Sequence, residues 1–407
     1  MDYLSLMTNY RQDLHKIPEI DRELPQTAAY VERVLDSLSC QVFRPYGDAV
    51  CDYFNAGREE TMAFRSDMDA LPVPEETGLP FASTHAGCMH ACGHDGHMAL
   101  LLGLAQYVNE HLQDGSLRYN VLLIFQPAEE TDGGADEICR TGVMQRYKVR
   151  YVFGSHLWPT VPEGVVATRI GEAMARSSEL AITIHGKSSH VAKADQGIDA
   201  MEAGARFLLE TYRMEREELP RETFRMLKFG TFRSGNVSNA ISDKTVLEGG
   251  LRAFSDETWN FMYERLCAIA RGIEQELGCT FEISASTGYP AVINDEALVR
   301  RLMDELSVPI GLLPEPFMTT EDFSFYQREC PGVFFFLGTG GDEPLHSTKF
   351  NFNESVLAKG LSLYADILTG LKAEPQAGRQ PASQADLQPV SQPDLQFNPQ
   401  TNREETR

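Results

Sequence analysis

Three nearly continuous apolar runs constrain the fold more than any other feature of the sequence. They read YNVLLIFQ (119–126), VRYVFGSH (149–156) and VFFFLGT (333–339). Apolar runs without alternation are typical of strands that are buried on both faces of a sheet. Segments with helical periodicity lie between and after them, such as ALLLGLAQYVNEHL (99–112) and ESVLAKGLSLYADILTGL (354–371). The chain is therefore expected to form an α/β fold, with a mixed sheet covered by helices.

The middle of the chain has a different order of elements. Four strands and two helices are predicted there in the order βαββαβ, which is the ferredoxin-like arrangement. In chain order these elements are predicted at 178–186, 198–219, 224–235, 244–254, 256–278 and 279–287. We therefore expect a ferredoxin-like α+β domain over residues 176–289, inserted into a catalytic α/β domain that comprises residues 1–175 and 290–372.

The last segment, residues 373–407, differs in composition from the rest of the chain. It is rich in Gln, Pro and Ser and almost free of large apolar side chains. Such a segment cannot bury enough surface to offset the loss of chain entropy on folding, so it is predicted to be disordered.

The overall charge and the cysteine usage exclude several classes of function. The formal net charge is −23 at pH 7, which argues against binding to nucleic acid or to an anionic membrane, because both require Lys and Arg. No apolar run approaches the ~20 residues of a membrane span. The N-terminal residues 1–15 lack a basic region followed by an apolar one, so no signal peptide is predicted. Eight scattered cysteines do not indicate a disulfide framework, and a cytoplasmic location is expected.

One short stretch, MHACGHDGHM (89–98), concentrates potential metal ligands. A c-type haem site would need Cys-x-x-Cys-His, and the spacing here is different. A structural zinc finger would need a compact second pair of ligands, and none follows. Taken alone, the stretch is compatible either with a packing role or with a catalytic metal site whose other ligands come from distant segments.

Further ligand-type residues occur where the predicted strands end. YNVLLIFQ runs into Glu129 and Glu130, VRYVFGSH ends in His156, and VFFFLGT is followed by a loop that contains His346. Open α/β sheets place their sites at strand ends, and two carboxylates after a buried strand are costly unless a cation neutralises them. Each residue alone could be a solvated polar side chain, but together they favour a metal site.

These motifs occur in a series of blocks that resembles a known family. The blocks are DLHKIPE (13–19), RSDMDALPV (65–73), MHACGHDGHM (89–98), QPAEE (126–130), GSHLWP (154–159), GKSSH (186–190), GIDA (197–200), the segment 239–243, EDF (321–323) and LHS (345–347). In this order they resemble the metal-dependent amidohydrolase and peptidase family that includes aminoacylases, hippurate hydrolases, indole-acetyl-amino-acid hydrolases and N-acetyldiaminopimelate deacetylases. The resemblance implies a zinc-peptidase-like catalytic domain, with an inserted lid domain that also forms a homodimer.

The resemblance also implies a site with two divalent metal ions per subunit. Five residues match the metal ligands of the family, namely Cys92, His94, Glu130, His156 and His346. Cys92 matches the bridging ligand and Glu129 the general base. Thiolate and imidazole ligands suit borderline ions, so Zn²⁺ or Mn²⁺ is expected, with Co²⁺ and Ni²⁺ as alternatives.

Other residues are expected to complete the site. Asp67 or Asp69 could orient a ligand imidazole from behind, although a turn carboxylate is an equal alternative for Asp69. In the inserted domain, the resemblance implies that His190 and Asn239 bind the scissile carbonyl or its oxyanion, and that Arg252 holds a substrate carboxylate. In a dimer, His190 could reach the site of the neighbouring subunit. The simpler alternative is that all three are solvated polar residues at strand ends.

The expected activity is hydrolysis of the amide bond in N-acyl amino acids or similar small amides. A dipeptidase or carboxypeptidase on the same scaffold is the alternative enzyme, and a non-catalytic metal-dependent binding protein is the alternative from another class. Asp132 stands where many relatives have glycine. This departure leaves the choice of substrate more open than the type of reaction.

Overall fold

The structure is a computed structural model, and it describes residues 1–372. The disorder predicted for residues 373–407 lies outside the described residues. The α-helices of the described part are α1 (Tyr3–His15), α2 (Pro25–Leu35), α3 (His94–His111), α4 (Ala135–Arg140), α5 (Val143–Arg146), α6 (Ala200–Glu217), α7 (Asp256–Leu277), α8 (Glu296–Glu305), α9 (Ser324–Glu329) and α10 (Ser355–Gly370). A 3-10 helix covers Val191–Gln196.

The strands belong to three sheets. They are β1 (Gln41–Phe43), β2 (Val50–Phe54), β3 (Thr61–Asp67), β4 (Asn120–Gln126), β5 (Val149–Trp158), β6 (Val166–Thr168), β7 (Gly171–Met174), β8 (Arg176–His185), β9 (Arg225–Ser234), β10 (Lys244–Ala253), β11 (Thr280–Ala285), β12 (Val292–Asn294), β13 (Gly311–Leu312) and β14 (Gly332–Gly338).

The main sheet has eight strands in the order β1-β2-β4-β3-β5-β14-β6-β13. Its centre, β4-β3-β5-β14, is parallel, and β2 and β6 run antiparallel to their central neighbours. The three apolar runs form β4, β5 and β14. Along β4, Val121 and Phe125 join the core that contains α1, α3 and α10, whereas Leu122 and Ile124 join the core that contains α4 and α9. The predicted mixed sheet with helices on both faces is confirmed.

The middle of the chain forms a separate four-stranded sheet in the order β11-β8-β10-β9. All of its pairings are antiparallel. Alternate residues of β8, such as Leu180 and Ile182, pack with Phe207 of α6 and Leu266 of α7 in a core of their own. The predicted ferredoxin-like order is therefore confirmed, while the domain limits at 176 and 289 remain a prediction. Among the described helices, none has both the length and the apolar character needed to cross a membrane.

The parallel centre of the main sheet determines where the polar motifs meet. Parallel strands end at the same edge of a sheet, so the segments that follow β3, β4, β5 and β14 lie side by side. Asp67 and His156 lie in the last residues of β3 and β5, and the segments after β4 and β14 carry the pair Glu129 and Glu130, and His346. The N-terminus of α3, with His94 as its first residue, reaches the same edge.

Candidate metal centre

A glycine turn places Cys92 and His94 together at the start of α3. Gly93 adopts a left-handed conformation with a φ of +85°, and a Cβ atom at this position would lie 3.1 Å from the side chain of Leu157. Only glycine adopts this backbone conformation without steric cost. The turn thus allows the thiol and the imidazole to face the same point from either side of Gly93.

The structure brings the five predicted ligands together in two groups that share Cys92. The ligand atoms of Cys92, His94 and His156 lie within 4.8 Å of one another, and so do those of Cys92, Glu130 and His346. Two ligand groups that meet at one thiol have the geometry expected for a thiolate that bridges two ions.

The partners of the imidazoles test whether these residues fit a metal. Nδ1 of His94 lies 2.7 Å from the main-chain oxygen of Asp69, and Nδ1 of His156 lies 2.7 Å from that of Leu157. Each ring therefore presents Nε2 to the site. Nε2 of His94 and Oε1 of Glu130 are buried without a hydrogen-bond partner, and buried polar atoms are rarely left unpaired. A divalent ion would satisfy both atoms, so the residues fit the metal centre implied by the sequence.

The local electrostatics also favour a cation. Burial, together with the carboxylates of Glu130 and Glu129, raises the pKa of the Cys92 thiol well above its usual value. Burial alone would lower the pKa of His94, but Asp67 and Asp69 raise it to about 10. In the absence of an ion, protons must supply the positive charge of this site. A bound metal would replace them and convert the thiol to a thiolate.

Asp69 holds the two glutamates of the QPAEE block in place. Its Oδ1 accepts the main-chain NH of Glu129 and its Oδ2 accepts that of Glu130, both at 3.0 Å. The residue before the pair, Ala128, has a φ of +62°, an unusual value for a residue other than glycine. The sharp turn at Ala128 and the carboxylate of Asp69 thus set the directions of the two glutamate side chains. This role of Asp69 differs from both roles expected from the sequence, a partner of an imidazole or a turn carboxylate.

Asp67 contacts the site through His97. It accepts hydrogen bonds from Nδ1 of His97 at 2.6 Å and from Arg65 at 2.9 Å, whereas it lies 3.8 Å from Nδ1 of His94. Nε2 of His97 in turn accepts the main-chain NH of Leu157 at 2.9 Å. Asp67 therefore supports the end of β5, which carries His156, rather than hydrogen-bonding the ring of His94.

A buried ionic cluster under the site was not identified from the sequence. The guanidinium of Arg65 lies 3.0 Å from Glu321, 2.6 Å from Asp322 and 2.9 Å from Asp67, and all four side chains are buried. Burial raises the pKa of Glu321 to about 8. Burial and the neighbouring carboxylate of Glu321 also raise the pKa of Glu129 well above its usual value. An arginine inside the otherwise apolar strand TMAFRSD was the available signal for this cluster.

Tyr289 is a second residue that the sequence analysis missed. It follows the four-stranded sheet, and its hydroxyl, with one proton to donate, lies 2.8 Å from the main-chain oxygens of both Glu129 and Thr131. It also lines the cavity beside the ligand groups. No motif surrounds Tyr289, so the sequence contained no signal for this contact.

The cavity beside the ligand groups, called the central cavity below, has a volume of about 650 Å³. Arg252 lines it, together with Glu129 and four of the five proposed ligands, namely Cys92, Glu130, His156 and His346. His190 and Asn239 do not belong to its lining and are exposed. The imidazole of His190 accepts the main-chain NH of Ala192 at 3.1 Å. Of the three residues expected from the inserted domain, one is therefore in the cavity of its own subunit and two are not.

The fold and the site define a class of protein. A thiol shared by two ligand groups at the ends of parallel strands, with a ferredoxin-like insertion, is the arrangement of a metal-dependent hydrolase. Residues 63–370, well over half of the 407, match Peptidase family M20/M25/M40. The chain belongs to this family, which confirms the resemblance seen in the sequence.

Individual relatives agree with this assignment. An uncharacterized hydrolase of Staphylococcus aureus (strain bovine RF122 / ET3-1) is 33% identical over 381 residues, which cover 91% of this chain and 100% of the relative. The YXEP protein of Bacillus subtilis, described as a dinuclear metal binding peptidase from the M20 family, has a TM-score of 0.79 and 28% identity, with coverage of 90% of this chain and 98% of that chain. A Staphylococcus aureus tripeptidase shares the fold, with a TM-score of 0.67 and 16% identity over 90% of this chain and 98% of its own.

Proposed function

We propose that the chain is a dinuclear-metal amidohydrolase of the cytoplasm that hydrolyses the amide bond of N-acyl amino acids or of similar small amides. The observation that carries the proposal is that Cys92 belongs to two ligand groups while Glu129 stands beside them in the same cavity. Each group that shares the thiol contains three ligand-type residues without Glu129, although Glu129 also lies within 4.8 Å of ligand atoms of His94 and Glu130. Its carboxylate is therefore available for proton transfer.

The chemistry follows from this division of roles. When bound, two divalent ions polarise a carbonyl and lower the pKa of a water molecule to about 7. Glu129 is placed to take a proton from the attacking water and to return it to the leaving amine nitrogen.

Residues of the inserted domain bind the substrate in this proposal. Arg252 offers a planar pair of donors to the substrate carboxylate. His190 and Asn239 bind the carbonyl oxygen or the oxyanion, and His190 does so in the site of a second subunit of a homodimer. The exposure of both residues, outside the cavity of their own subunit, supports an action across a subunit interface.

Two alternatives use the same residues. A dipeptidase or carboxypeptidase would need the same metals and base. The similarity to a peptidase of known structure supports this alternative, and the substrate screen below tests it as well. A non-catalytic binding protein would need ligands but no additional buried carboxylate. The position of Glu129 argues against this last alternative.

A substrate screen tests the proposal. The purified chain is stripped of metal, reloaded with Zn²⁺, Mn²⁺, Co²⁺ or Ni²⁺, and incubated with N-acetyl amino acids, N-benzoyl amino acids and dipeptides while amine release is measured. We expect metal-dependent hydrolysis of N-acyl amino acids. Hydrolysis of dipeptides alone would favour the peptidase alternative, and no hydrolysis with any ion would contradict an enzymatic role.

A further inference from the structure

Two opposite charges from the four-stranded sheet face the central cavity. Arg252 on β10 and Glu179 on β8 both line it. In the antiparallel register, Arg252 lies opposite Ser177, and Glu179 lies opposite Gly250. Residues at such positions project from the same face of a sheet and are diagonal neighbours, with Cα atoms about 7–8 Å apart. The cavity therefore has a guanidinium and a carboxylate side by side on one wall.

Neither charge is neutralised by another side chain within residues 1–372. Arg252 donates a hydrogen bond to the main-chain oxygen of Met318 and forms no ion pair there. The main chain of Glu179 is paired with Ser286, whereas its carboxylate has no partner in the described chain. The residue opposite is Gly250, so no side chain covers the carboxylate from that strand.

The other carboxylates of the cavity already have partners or roles. Glu130 contacts the imidazoles of the ligand groups, and Glu321 pairs with buried Arg65. Asp132, which also lines the cavity, acts weakly through its charge on Arg22, the ion-pair partner of Glu137. None of these contacts involves Glu179, so its carboxylate in the cavity has no partner among residues 1–372 that would explain its presence there.

We infer that Glu179 determines specificity by binding an ammonium group of the substrate, next to the substrate carboxylate held by Arg252. The inference rests on the proposed amidohydrolase function. The substrate class is an amide whose amino acid part carries both charges. The ammonium could be on the side chain of an Nα-acyl amino acid, or on the α-carbon of an amino acid that is acylated at its distal nitrogen. A cavity of about 650 Å³ is in the range that encloses molecules of this size.

The test compares matched substrates on the full-length, metal-loaded chain. Nα-acetyl-L-lysine is paired with neutral Nα-acetyl-L-norleucine, and Nε-acetyl-L-lysine with N-acetyl-6-aminohexanoate, which lacks the α-ammonium. A hydrogen bond to a charged group contributes enough to change kcat/KM by roughly tenfold or more. We expect at least one pair to show this preference for the cation, and the pair that does so identifies the position of the ammonium. Added salt should weaken the preference.

Variants assign the preference to one residue. In Glu179→Gln the ratio of kcat/KM values should fall towards one, and in Glu179→Lys it should fall below one. Glu248→Gln is the matched control, because Glu248 lies on the same face of β10 but outside the cavity lining. This control should retain the wild-type ratio. Hydrolysis without a preference for the cation, or a preference that persists in Glu179→Gln, would show that the inference is wrong while the proposed function stands.

A binding measurement separates the two proposals when no amide is hydrolysed. The metal-loaded Glu129→Gln chain is titrated calorimetrically with Nα-acetyl-L-lysine and with Nα-acetyl-L-norleucine, a measurement that does not depend on turnover. The titration is repeated with Nε-acetyl-L-lysine and N-acetyl-6-aminohexanoate. Suppose that no ion supports hydrolysis, but that the cationic compound binds more tightly and loses this advantage when Glu179→Gln is added. That result would overturn the proposed function and leave the inference about Glu179 intact. Equal binding within both pairs would overturn the inference as well.

Discussion

The carboxylate of Asp69 accepts the main-chain NH of Glu129 at 3.0 Å. Its second oxygen binds the next amide, that of Glu130, and its main-chain oxygen faces Nδ1 of His94. Asp69, two residues after β3, thus positions the proposed base and two proposed ligands, which come from two separate segments of the chain. Asp69 acts through these residues and need not contact the substrate itself.

Replacing Asp69 by Asn tests this positioning role. The asparagine side chain has the same size, and the main-chain contact to His94 is kept. It has only one acceptor oxygen, however, for the two main-chain NH groups of Glu129 and Glu130. An unpaired buried NH costs about 1–3 kcal/mol, so kcat should fall roughly 10–100-fold, with less change in KM and normal metal content. Asp366→Asn is the matched control, because Asp366 also accepts two successive amides, those of Ser307 and Val308. A purely structural role for Asp69 would lower thermal stability and leave the kcat of the folded fraction unchanged.

Glu129 and Glu130 should separate catalysis from metal binding. Glu129→Gln should retain two ions per chain while kcat falls by roughly 10²–10⁴. Glu130→Gln should lose metal affinity together with activity, because its Oε1 faces the ligand imidazoles. Elemental analysis and steady-state kinetics on the same preparations distinguish the two effects. Full activity in metal-loaded Glu129→Gln would exclude it as the base.

Cys92 should control the occupancy of both ions. Cys92→Ala removes the ligand common to the two groups, so metal content and activity should fall together. Cys92→Asp should retain part of both, since a carboxylate can also bridge. Cys88→Ala, at a half-buried thiol outside the ligand groups, is the control and should bind metal normally. Two ions at unchanged affinity in Cys92→Ala would refute the assignment of the bridge.

Asp52 makes stability depend on pH at a position remote from the site. It is buried in β2, neither oxygen has a hydrogen-bond partner, and burial raises its pKa from 3.8 to about 7, an effect that the nearby thiol of Cys40 offsets only in part. The folded state therefore binds a proton more tightly than the unfolded state, and the resulting stability declines as the pH rises from 3.8 to about 7. A rise of this size corresponds to roughly 4 kcal/mol.

The matching experiment uses Asp52→Asn, which cannot ionise. Its melting temperature should exceed that of the wild type at both pH 5 and pH 8, and by clearly more at pH 8, because the cost of ionising Asp52 grows between pH 3.8 and about 7. Differential scanning calorimetry at a fixed scan rate measures both values. Asp36→Asn, at an exposed position, should show the same difference from the wild type at either pH. An equal effect of Asp52→Asn at pH 5 and pH 8 would argue for a packing effect instead.

His190 should act across the subunit interface of the proposed dimer. His190→Ala and Glu129→Gln chains, each inactive alone, are mixed under conditions that allow subunits to exchange. A mixed dimer has one site that lacks both groups and one that is intact, so activity should recover to roughly one quarter of the wild-type value. Confirmed exchange without recovery would show that His190 does not act in trans.

The sequence by itself determined the central strands of the main sheet and the four strands of the inserted one, and through the family resemblance it predicted the ligand set. Burial on both faces leaves a continuous apolar run, as in YNVLLIFQ, and such a run can be recognised without knowing its neighbours. The ligands Cys92 and His94 lie in one short motif, and Glu130 and His156 follow strands whose ends must meet at one edge of a parallel sheet. Both kinds of signal are local in the chain, and therefore they could be read before the fold was known.

Only the tertiary structure decided how these residues are held and what else faces the cavity. The contact of Asp69 with the amide of Glu129 joins residues 60 positions apart, and that of Tyr289 with the same residue spans 160 positions. Whether Glu179 faces the cavity depends on the register of β8 against β10. Such contacts depend on side-chain direction and on the packing of distant segments, and neither property leaves a periodic or local pattern in the sequence.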